Sequence, residues 1–416
     1  MTLGYQDLST VLPSFAELVG GGFLCSSFAD DIVLSSPLAP PLPADVFMAQ
    51  ANFIDGGCIL AINLHHQCFD GTGAIMVMRI WSDCCRYVQG EASATCDWLD
   101  HQSMNRNIPQ ILYELEGYVK PVGQVDKNVW GFIYIPDPAE AEHGTHVNSP
   151  MNRSSLPPAP VFPRKFEWPP TLPSHGRLMK AFTFVMSTEM VEQLRQDPTA
   201  EGVTSVSDTI QAFVWRSAIR ARHHVKTHLW CETSDEDKMA IVELPIDVRP
   251  YFSKLLPESY MGNIVIINRP SMPVTMLCGT GTTVGQVAQV LRAATVHITP
   301  SLVHDAFTLL QSVPDYTKVT TACMGMDGMH IAVTNLMLFQ TSAISFGDEL
   351  LDDGGMPSAM RIQMVAINAA FRMAVIHPLR EDGSIEFVIG MLPEEPDAVL
   401  ADGEFTRMAL NTICVL

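Results

Sequence analysis

The sequence lacks most of the patterns that assign a chain to a broad class of proteins. Its 10 cysteines include no C-x-x-C pair, which argues against a disulfide framework or a cysteine-rich zinc site and favours reduced thiols. No apolar run reaches the length of a membrane span, and the most apolar stretch, 364–376, is interrupted by Asn368 and Arg372. The first residues show no basic segment followed by an apolar core, so no secretory signal is expected. The sequence therefore predicts a cytoplasmic protein without a membrane span.

Basic residues are also scarce. The chain has 25 Lys and Arg against 45 Asp and Glu, a formal net charge of −20. Because no basic stripe is present, nucleic acid is not an expected partner, although a local basic patch could still bind an anionic ligand. The chain has 416 residues, 47% hydrophobic and 17% charged, which is typical of a globular protein long enough for two cores.

Hydrophobic periodicity predicts the elements of the first part of the chain. The first 45 residues are loop-rich apart from a short helix near 14–19. Alternating apolar residues predict strands over 46–53 and 58–64, joined as a hairpin by the turn Asp55-Gly56-Gly57. A helix is predicted over 73–87, a weaker helix over 109–118 and a strand over 130–135.

A long proline-heavy passage, 136–177, separates this part from the second half and is the best candidate for a domain boundary. Beyond it, strands are predicted over 178–186, 239–245, 262–267, 329–335, 364–368, 373–377 and 386–390, with helices over 188–196, 208–223, 284–296, 301–312 and 396–410. Ser187 is the expected N-cap of the first of these helices. The mixture predicts an α/β fold in which helices pack on mixed β-sheets.

One stretch, residues 61–74 (A-I-N-L-H-H-Q-C-F-D-G-T-G-A), joins an apolar strand, a glycine-punctuated turn and the start of a helix. His65, His66 and Asp70 lie on the loop that leaves the strand, where rigid scaffolds often carry chemistry. A histidine can accept a proton at neutral pH, and an aspartate four residues later can fold back and hold the loop. A bare H-x-x-x-D is a weak signal, whereas H-H-x-x-x-D-G between a strand and a helix is much more specific.

This motif resembles the signature of the chloramphenicol-acetyltransferase-like superfamily, which includes the BAHD acyltransferases and the condensation domains of peptide synthetases. Other stretches resemble the fungal BAHD branch related to trichothecene 3-O-acetyltransferases, and the similarity runs from about residue 12 to about residue 410. These stretches are A-N-F-I-D-G-G at 51–57, A-F-V-W-R at 212–216, D-V-R-P at 247–250, Y-M-G-N at 260–263 and the strand at 383–390.

The resemblance implies two chloramphenicol-acetyltransferase-like subdomains, with mixed sheets flanked by helices and the site at their interface. Residues 1–140 would form an N-terminal subdomain that carries the motif, 141–177 a proline-rich crossover linker and 178–416 a C-terminal subdomain. Compared with the family, the segment before His66 is short, which is expected either from a shortened N-terminal subdomain or from a gene model that starts late. The stretch S-F-G-D-E at 345–349 matches the family's structural D-F-G-W-G motif but lacks its first Asp and its Trp.

The resemblance also implies an activity. An acyl group would pass from acyl-CoA, the co-substrate, to an alcohol or amine of a small secondary metabolite, with His66 as general base. Asp70 would orient the loop through an ion pair with an arginine such as Arg249, and Gly71 would permit the turn. His65 would be structural, since only one of two neighbouring strand residues can face the site.

The tetrahedral oxyanion of such a reaction needs hydrogen-bond donors. Thr334 and Asn335, at the end of a predicted strand, are candidates, and the residues that bind CoA are not assigned. A small-molecule acceptor and a monomeric protein are expected.

Two other functions fit the same motif. A condensation-type enzyme would use carrier-bound acyl donors, although such domains usually lie within larger chains. A BAHD-like protein without acyl transfer could bind or cyclise a ligand, which the altered 345–349 stretch and the short N-terminal segment would favour. Turnover of a CoA thioester would distinguish the first function from a protein without acyl transfer. Dependence on a carrier protein would identify a condensation-type enzyme.

Three further patterns have simpler interpretations. The spacing of metal ligands is seen in His223, His224 and His228 with Cys231 and Glu232, but these residues fit a solvated helix end better, so no metal is expected. Cys68, within the motif, has no activating base apart from the same histidines. The run G-T-G-T-T at 279–283 lacks the lysine of a phosphate loop and fits a turn that caps a helix.

Overall fold

The computed structural model describes residues 2–24, 27–28, 30–36, 43–125, 132–134, 179–197, 199, 205–231, 238–313, 319–321, 328–339, 341, 344–349, 351–362, 367–368, 372–380 and 382–411. The expected crossover linker, 141–177, lies outside these residues.

The N-terminal part is built on a three-stranded sheet in the order β1-β2-β3. β2 (Phe47–Ile54) and β3 (Gly57–Leu64) form the predicted antiparallel hairpin. Gly56, in its turn, has a φ of +74°, which L side chains rarely adopt. β1 (Thr2–Asp7) pairs with β2 in parallel, so the loop predicted for the first residues is wrong there. The short sequence of β1 carries no strong strand pattern, and its partner lies about 45 residues later.

The predicted helices are confirmed with small shifts of their ends, except the last one, 396–410, and several short helices appear that the pattern did not predict. The α-helices of the described residues are α1 (Phe15–Gly20), α2 (Asp30–Val33), α3 (Gly71–Val88), α4 (Ile108–Leu115), α5 (Thr188–Arg195), α6 (Val206–His224), α7 (Arg249–Phe252), α8 (Val274–Cys278), α9 (Val284–Val296), α10 (Pro300–Gln311), α11 (Glu395–Ala401) and α12 (Gly403–Met408). Ser187 caps α5 as predicted, because its side chain accepts a hydrogen bond from Met190 N.

The second half contains a larger mixed sheet, whose described strands lie in the order β13-β5-β12-β11-β10-β6-β7, with β8 paired to β6. Its strands are β5 (Lys180–Met186), β6 (Met239–Asp247), β7 (Val265–Asn268), β8 (Ser271–Pro273), β10 (His330–Asn335), β11 (Met373–Ile376), β12 (Ile385–Met391) and β13 (Leu410–Asn411). β10 runs parallel to both β6 and β11. β4 (Phe132–Tyr134) and β9 (Val319–Thr321) form a separate antiparallel pair.

Helix α6 is the centre of the largest core. Its apolar stripe, which includes Ile210 and Phe213, is fully buried, but so is Trp215 beside the stripe. The helix packs against α8, α9 and α11 as well as the large sheet. A helix that is buried on nearly all sides takes its stability from these contacts, since the sequence pattern shows little amphipathicity.

Charged side chains inside this core are paired. Glu395 is 0% exposed. Its Oε1 accepts hydrogen bonds from Arg222 Nη1 at 2.8 Å and from Arg372 Nη2 at 2.6 Å. The three residues join the end of α6, the segment before β11 and the start of α11. Removal of Glu395 would leave two buried arginines without this carboxylate, and breaking a buried ion pair typically costs about 3–5 kcal/mol.

A second polar cluster attaches the N-terminal segment to the large sheet. Arg361 Nε donates to the carbonyl of Phe23 at 2.7 Å, and Arg361 pairs with Glu386 at 3.2 Å. His377 N donates to the Glu386 carbonyl at 2.9 Å, and the His377 side chain is buried. Burial, together with the positive charges of Arg361 and Arg380, lowers the pKa of His377 from 6.5 to about 3, so this imidazole is neutral at pH 7.

Two predicted elements of the second half are wrong in part. The strand predicted over 364–368 is contradicted at Ile367 and Asn368, which are helical, while 364–366 lie outside the described residues. A short apolar run does not separate strand from helix. The single helix predicted over 396–410 is interrupted at Asp402, which caps α12, and it ends in β13.

Mixed sheets flanked by helices, the architecture predicted from the sequence, are confirmed. Among the described residues, no helix combines the length and the apolar character needed to cross a membrane.

Candidate active site

The motif forms a tight loop between β3 and α3. His65 N donates to the Val46 carbonyl at 3.0 Å, which continues the hairpin for one residue beyond Leu64. The His65 carbonyl then accepts from Cys68 N at 2.8 Å and Phe69 N at 3.2 Å, which turns the chain back toward α3.

Asp70 is the N-cap of α3 and is 3% exposed. Its carboxylate accepts from Gly73 N at 2.9 Å and from Ile264 N at 3.0 Å. Arg249 Nη2 donates to both carboxylate oxygens at 2.9 Å. The structure therefore brings together Asp70 and Arg249, the two residues that were expected to form an ion pair, although about 180 residues separate them in the chain.

Arg249 is itself held from several sides. Its Nε donates to the Tyr260 carbonyl at 2.9 Å, its Nη2 to the Gly262 carbonyl at 2.8 Å, and its Nη1 lies 2.9 Å from Asp247. Thr72, in the first turn of α3, donates to Asp247 at 3.0 Å. The start of α3 and the end of β6 are thus joined by a continuous hydrogen-bond network.

His66 and His65 have different environments. His66 is exposed, its carbonyl accepts from Asn263 Nδ2 at 2.8 Å, and among the described residues its imidazole has no hydrogen-bond partner. His65 is half-buried, and its Nδ1 is buried without a hydrogen-bond partner in the described part of the chain. His66 can therefore meet a substrate from solvent, whereas His65 packs inward.

Two glycines of the motif allow close approach of other segments. A Cβ at Gly73 would lie 2.6 Å from the Met261 carbonyl oxygen, and one at Gly71 would lie 2.7 Å from the Phe339 ring. Gly71 does not have a positive φ. Gly71 instead leaves room for the Phe339 ring, and the expectation that it permits the turn stays a prediction.

Thr334 and Asn335, the expected oxyanion donors, lie at the end of β10. Asn335 Nδ2 donates to Ser207 Oγ at 2.8 Å, and its Oδ1 accepts from Met337 N at 2.9 Å. The Asn335 amide thus connects β10 to α6. The described contacts bring neither residue to His66, so their role as donors stays a prediction.

The 345–349 stretch, with its altered Phe-Gly motif, packs on the far end of α3. The rings of Phe346 and Trp81 meet edge to face at 5.7 Å, and Trp81 meets Phe47 in the same way at 6.0 Å. Gln89 Nε2 donates to the Phe346 carbonyl at 2.6 Å. These contacts join both halves of the chain without the tryptophan of the family motif.

Sequence reasoning missed Arg106. Its Nη1 donates to the Cys68 carbonyl at 2.6 Å, within the motif loop. No local signal could have found it, because an exposed arginine 38 residues from its partner carries no periodic pattern.

The weaker patterns have structural explanations. Thr283 and Gln286 form a capping box at the start of α9, as expected for a helix-capping turn. The rings of His224 and His228 stack at 4.5 Å. Within the described residues, no group of three or more His, Cys, Asp or Glu could hold a metal ion.

Two family models match the chain. The "Trichothecene 3-O-acetyltransferase-like N-terminal domain" matches residues 6–85, and the "Transferase family" matches residues 137–274.

Similar proteins include a hybrid synthase and an O-acetyltransferase, both from fungi. The isocyanide synthase-NRPS hybrid crmA of Aspergillus fumigatus is 43% identical over 419 residues, which cover 99% of this chain. The chain spans only 26% of the length of that protein. The eremophilane O-acetyltransferase prx11 of Penicillium rubens is 22% identical over 406 residues, covering 91% of this chain and 76% of that protein.

Among solved structures, TRI101 of F. graminearum, complexed with coenzyme A and deoxynivalenol, superposes with a TM-score of 0.72. The sequences are 18% identical, and the match covers 99% of this chain and 82% of that chain. At this identity the likeness shows a shared fold, with two subdomains of mixed sheets and helices.

Proposed function

The chain belongs to the BAHD acyltransferases, in the trichothecene 3-O-acetyltransferase-like branch, and on this basis we propose that it transfers an acyl group from acyl-CoA to a hydroxyl or amine of a small secondary metabolite. The acyl donor is a substrate in this proposal, and no metal takes part. A cytoplasmic location and a monomeric state stay predictions from the sequence.

The observation that carries the proposal is the fixed loop with one exposed base. Asp70 is tied to Arg249 at 2.9 Å, and the His66 carbonyl is tied to Asn263 at 2.8 Å. The backbone of the loop is therefore held at both ends, while the His66 imidazole faces solvent without a partner among the described residues. A general base needs this combination of a fixed backbone and an accessible nitrogen.

His66 would move one proton twice. As the acceptor oxygen or nitrogen attacks the thioester carbonyl, an imidazole nitrogen takes the acceptor's proton and the new bond to carbon forms. The resulting tetrahedral oxyanion collapses, the carbon–sulfur bond breaks, and the imidazolium returns the proton to the thiolate. Because the thioester is already activated, no covalent intermediate on the protein is needed.

A second donor class is favoured by one specific observation. The relative with 43% identity is an isocyanide synthase-NRPS hybrid, of which this chain spans about a quarter. A chain similar to one part of such a protein would accept an acyl group from a carrier-bound thioester. The chemistry at His66 would be the same, and only the thiol that leaves would differ.

Thiol release tests both donors. Wild type, His66→Ala and the matched control His101→Ala would be compared with acetyl-CoA, longer acyl-CoAs and an acylated carrier protein, each with alcohol and amine acceptors. His101 is a suitable control because its side chain is 88% exposed. We expect acceptor-dependent release that falls by about 10²–10⁴-fold in His66→Ala and is unchanged in His101→Ala.

The same assay separates the alternatives. Release from acyl-CoA supports the first donor, and release from the carrier alone supports the second. If His66→Ala retains full activity with the same thermal midpoint as wild type, the assignment of the base is wrong. If the folded wild type releases no thiol from either donor, the proposal of acyl transfer is wrong, and ligand binding without transfer becomes the function to test.

A further inference from the structure

Arg106 contacts the motif loop in more than one way. Its Nη1 donates to the Cys68 carbonyl at 2.6 Å, and its guanidinium carbon lies 4.9 Å from the centre of the Phe69 ring. The guanidinium also lies beside the hydroxyl of Tyr260. A planar guanidinium that is hydrogen-bonded and stacked is held in one orientation, although Arg106 is exposed.

The segment that carries Arg106 is fixed to another segment that contacts the motif loop. Met261 N donates to the Ser103 carbonyl at 2.9 Å, and the hydroxyls of Ser103 and Ser259 are 2.6 Å apart. These contacts anchor 103–106 to the 259–263 stretch, which also supplies Asn263 to the His66 carbonyl. Arg106 therefore extends from a rigid base and not from a free loop.

We propose that Arg106 is a positioning residue that fixes the orientation of the His66 imidazole by holding the peptide at Cys68. The inference deepens the proposed function and rests on it. Asn263 holds the loop at His66, and Arg249 holds it at Asp70. Between these two anchors, Arg106 adds a side-chain hydrogen bond to the turn that Cys68 N and Phe69 N form with the His65 carbonyl, so its loss loosens the peptide at Cys68.

The expected effect lies in the chemical step. A displacement of about 1 Å in a reacting group can cost about 10²-fold in rate. Arg106→Gln should therefore lower kcat about 10–100-fold and leave KM within about threefold, because Arg106 acts on the base and not on the substrate. Arg106→Lys keeps the positive charge but loses the planar stacking on Phe69, and it should recover only part of the rate.

Arg79→Gln is the matched control. Arg79 also stacks on an aromatic ring, with its guanidinium carbon 3.9 Å from the centre of Trp98, but it lies on α3 outside the motif loop. If Arg106 acted only through general stability, both variants would lower kcat in proportion to their thermal midpoints. The inference expects similar midpoints and a loss of kcat in Arg106→Gln alone.

A second readout does not need activity. In the resting protein with isotope-labelled histidine, the imidazole resonances of His66, assigned with His66→Ala, should shift or broaden in Arg106→Gln and not in Arg79→Gln. Unchanged His66 resonances would overturn the inference, whatever happens to kcat. If wild type has no transfer activity, the proposed function fails and the resonances alone decide the role of Arg106.

Discussion

Substitution of Asp70 by asparagine tests the network that holds the motif loop. The carboxylate accepts four hydrogen bonds, from Gly73 N, from Ile264 N and twice from Arg249 Nη2. Asparagine keeps the shape and one oxygen, which can still cap α3. Its amide nitrogen, however, would face the Ile264 N–H and the Arg249 guanidinium, so donors would face donors in a buried site.

The magnitude follows from these contacts. Breaking a buried ion pair typically costs about 3–5 kcal/mol. Arg249 retains Asp247 at 2.9 Å and two backbone carbonyls, so we expect the lower end, about 3 kcal/mol. For a chain of this length, that loss lowers the thermal midpoint by roughly 3–5 °C.

Scanning calorimetry measures this shift, with Asp100→Asn as the matched control. Asp100 also caps a helical turn through Gln102 N at 2.7 Å, but it is exposed, and asparagine is an equally good cap. The thermal midpoint of Asp100→Asn should stay within about 1 °C of the wild-type value. In a double-mutant cycle, Asp70→Asn and Arg249→Met together should cost about 2 kcal/mol less than the sum of the two single changes. Additive costs, or an Asp70→Asn midpoint equal to that of wild type, would refute the reasoning.

Three further changes probe other parts of the molecule. Asn263→Ala removes the hydrogen bond to the His66 carbonyl from an exposed side chain, so steady-state kcat should fall about tenfold while the thermal midpoint stays within about 1 °C. Phe346→Ala should cost about 2 kcal/mol, since the side chain is half-buried, and should shift the fluorescence of Trp81 to longer wavelength. His377→Gln should remove part of the acid sensitivity of folding, as followed by urea unfolding at pH 7 and pH 5.

The sign of the last effect follows from linkage. The pKa of His377 is about 3 in the folded protein and 6.5 for an unperturbed imidazole, so below pH 6.5 the unfolded state binds a proton that the folded state does not. Stability is therefore lost as pH falls, by about 2 kcal/mol between pH 7 and pH 5 for this one group. An unchanged pH dependence in His377→Gln would contradict the depressed pKa. For Asn263→Ala, a thermal midpoint that falls by clearly more than about 1 °C would contradict a local role. For Phe346→Ala, Phe346→Leu serves as the milder control.

Local sequence patterns predicted the helices and strands whose conformation depends mainly on residues close in sequence. The hairpin of β2 and β3 follows from period-two strands around a glycine turn, and α9 begins where Thr283 can cap it. β1 could not be predicted in this way, because its pairing with β2 is non-local and its six residues carry little pattern. The helical state of Ile367 and Asn368 was missed for the related reason that a short apolar run fits either structure.

The candidate site shows the same division. The loop with His66 and Asp70 was visible in the sequence as a strand, a glycine turn and a helix, and the resemblance pointed to Arg249. The hydrogen bonds from Asn263 and Arg106 were not visible, since each crosses many residues and depends on how separate segments pack. A family motif thus locates the candidate base, whereas the residues that hold its loop in place require the structure.

The order of strands in the large sheet has a consequence for synthesis on the ribosome. β5 pairs with β12 and β13, and the first residue of β12 is made about 200 residues after the end of β5. At about 5–20 residues per second, this strand waits roughly 10–40 s for its partners. During that interval the strand, whose side chains from Ala181 to Phe184 are all buried in the folded protein, is exposed on the nascent chain. A ribosome stalled before residue 385 should therefore carry a chain whose second half is protease-sensitive and bound by chaperones, and that sensitivity should disappear once β12 has emerged.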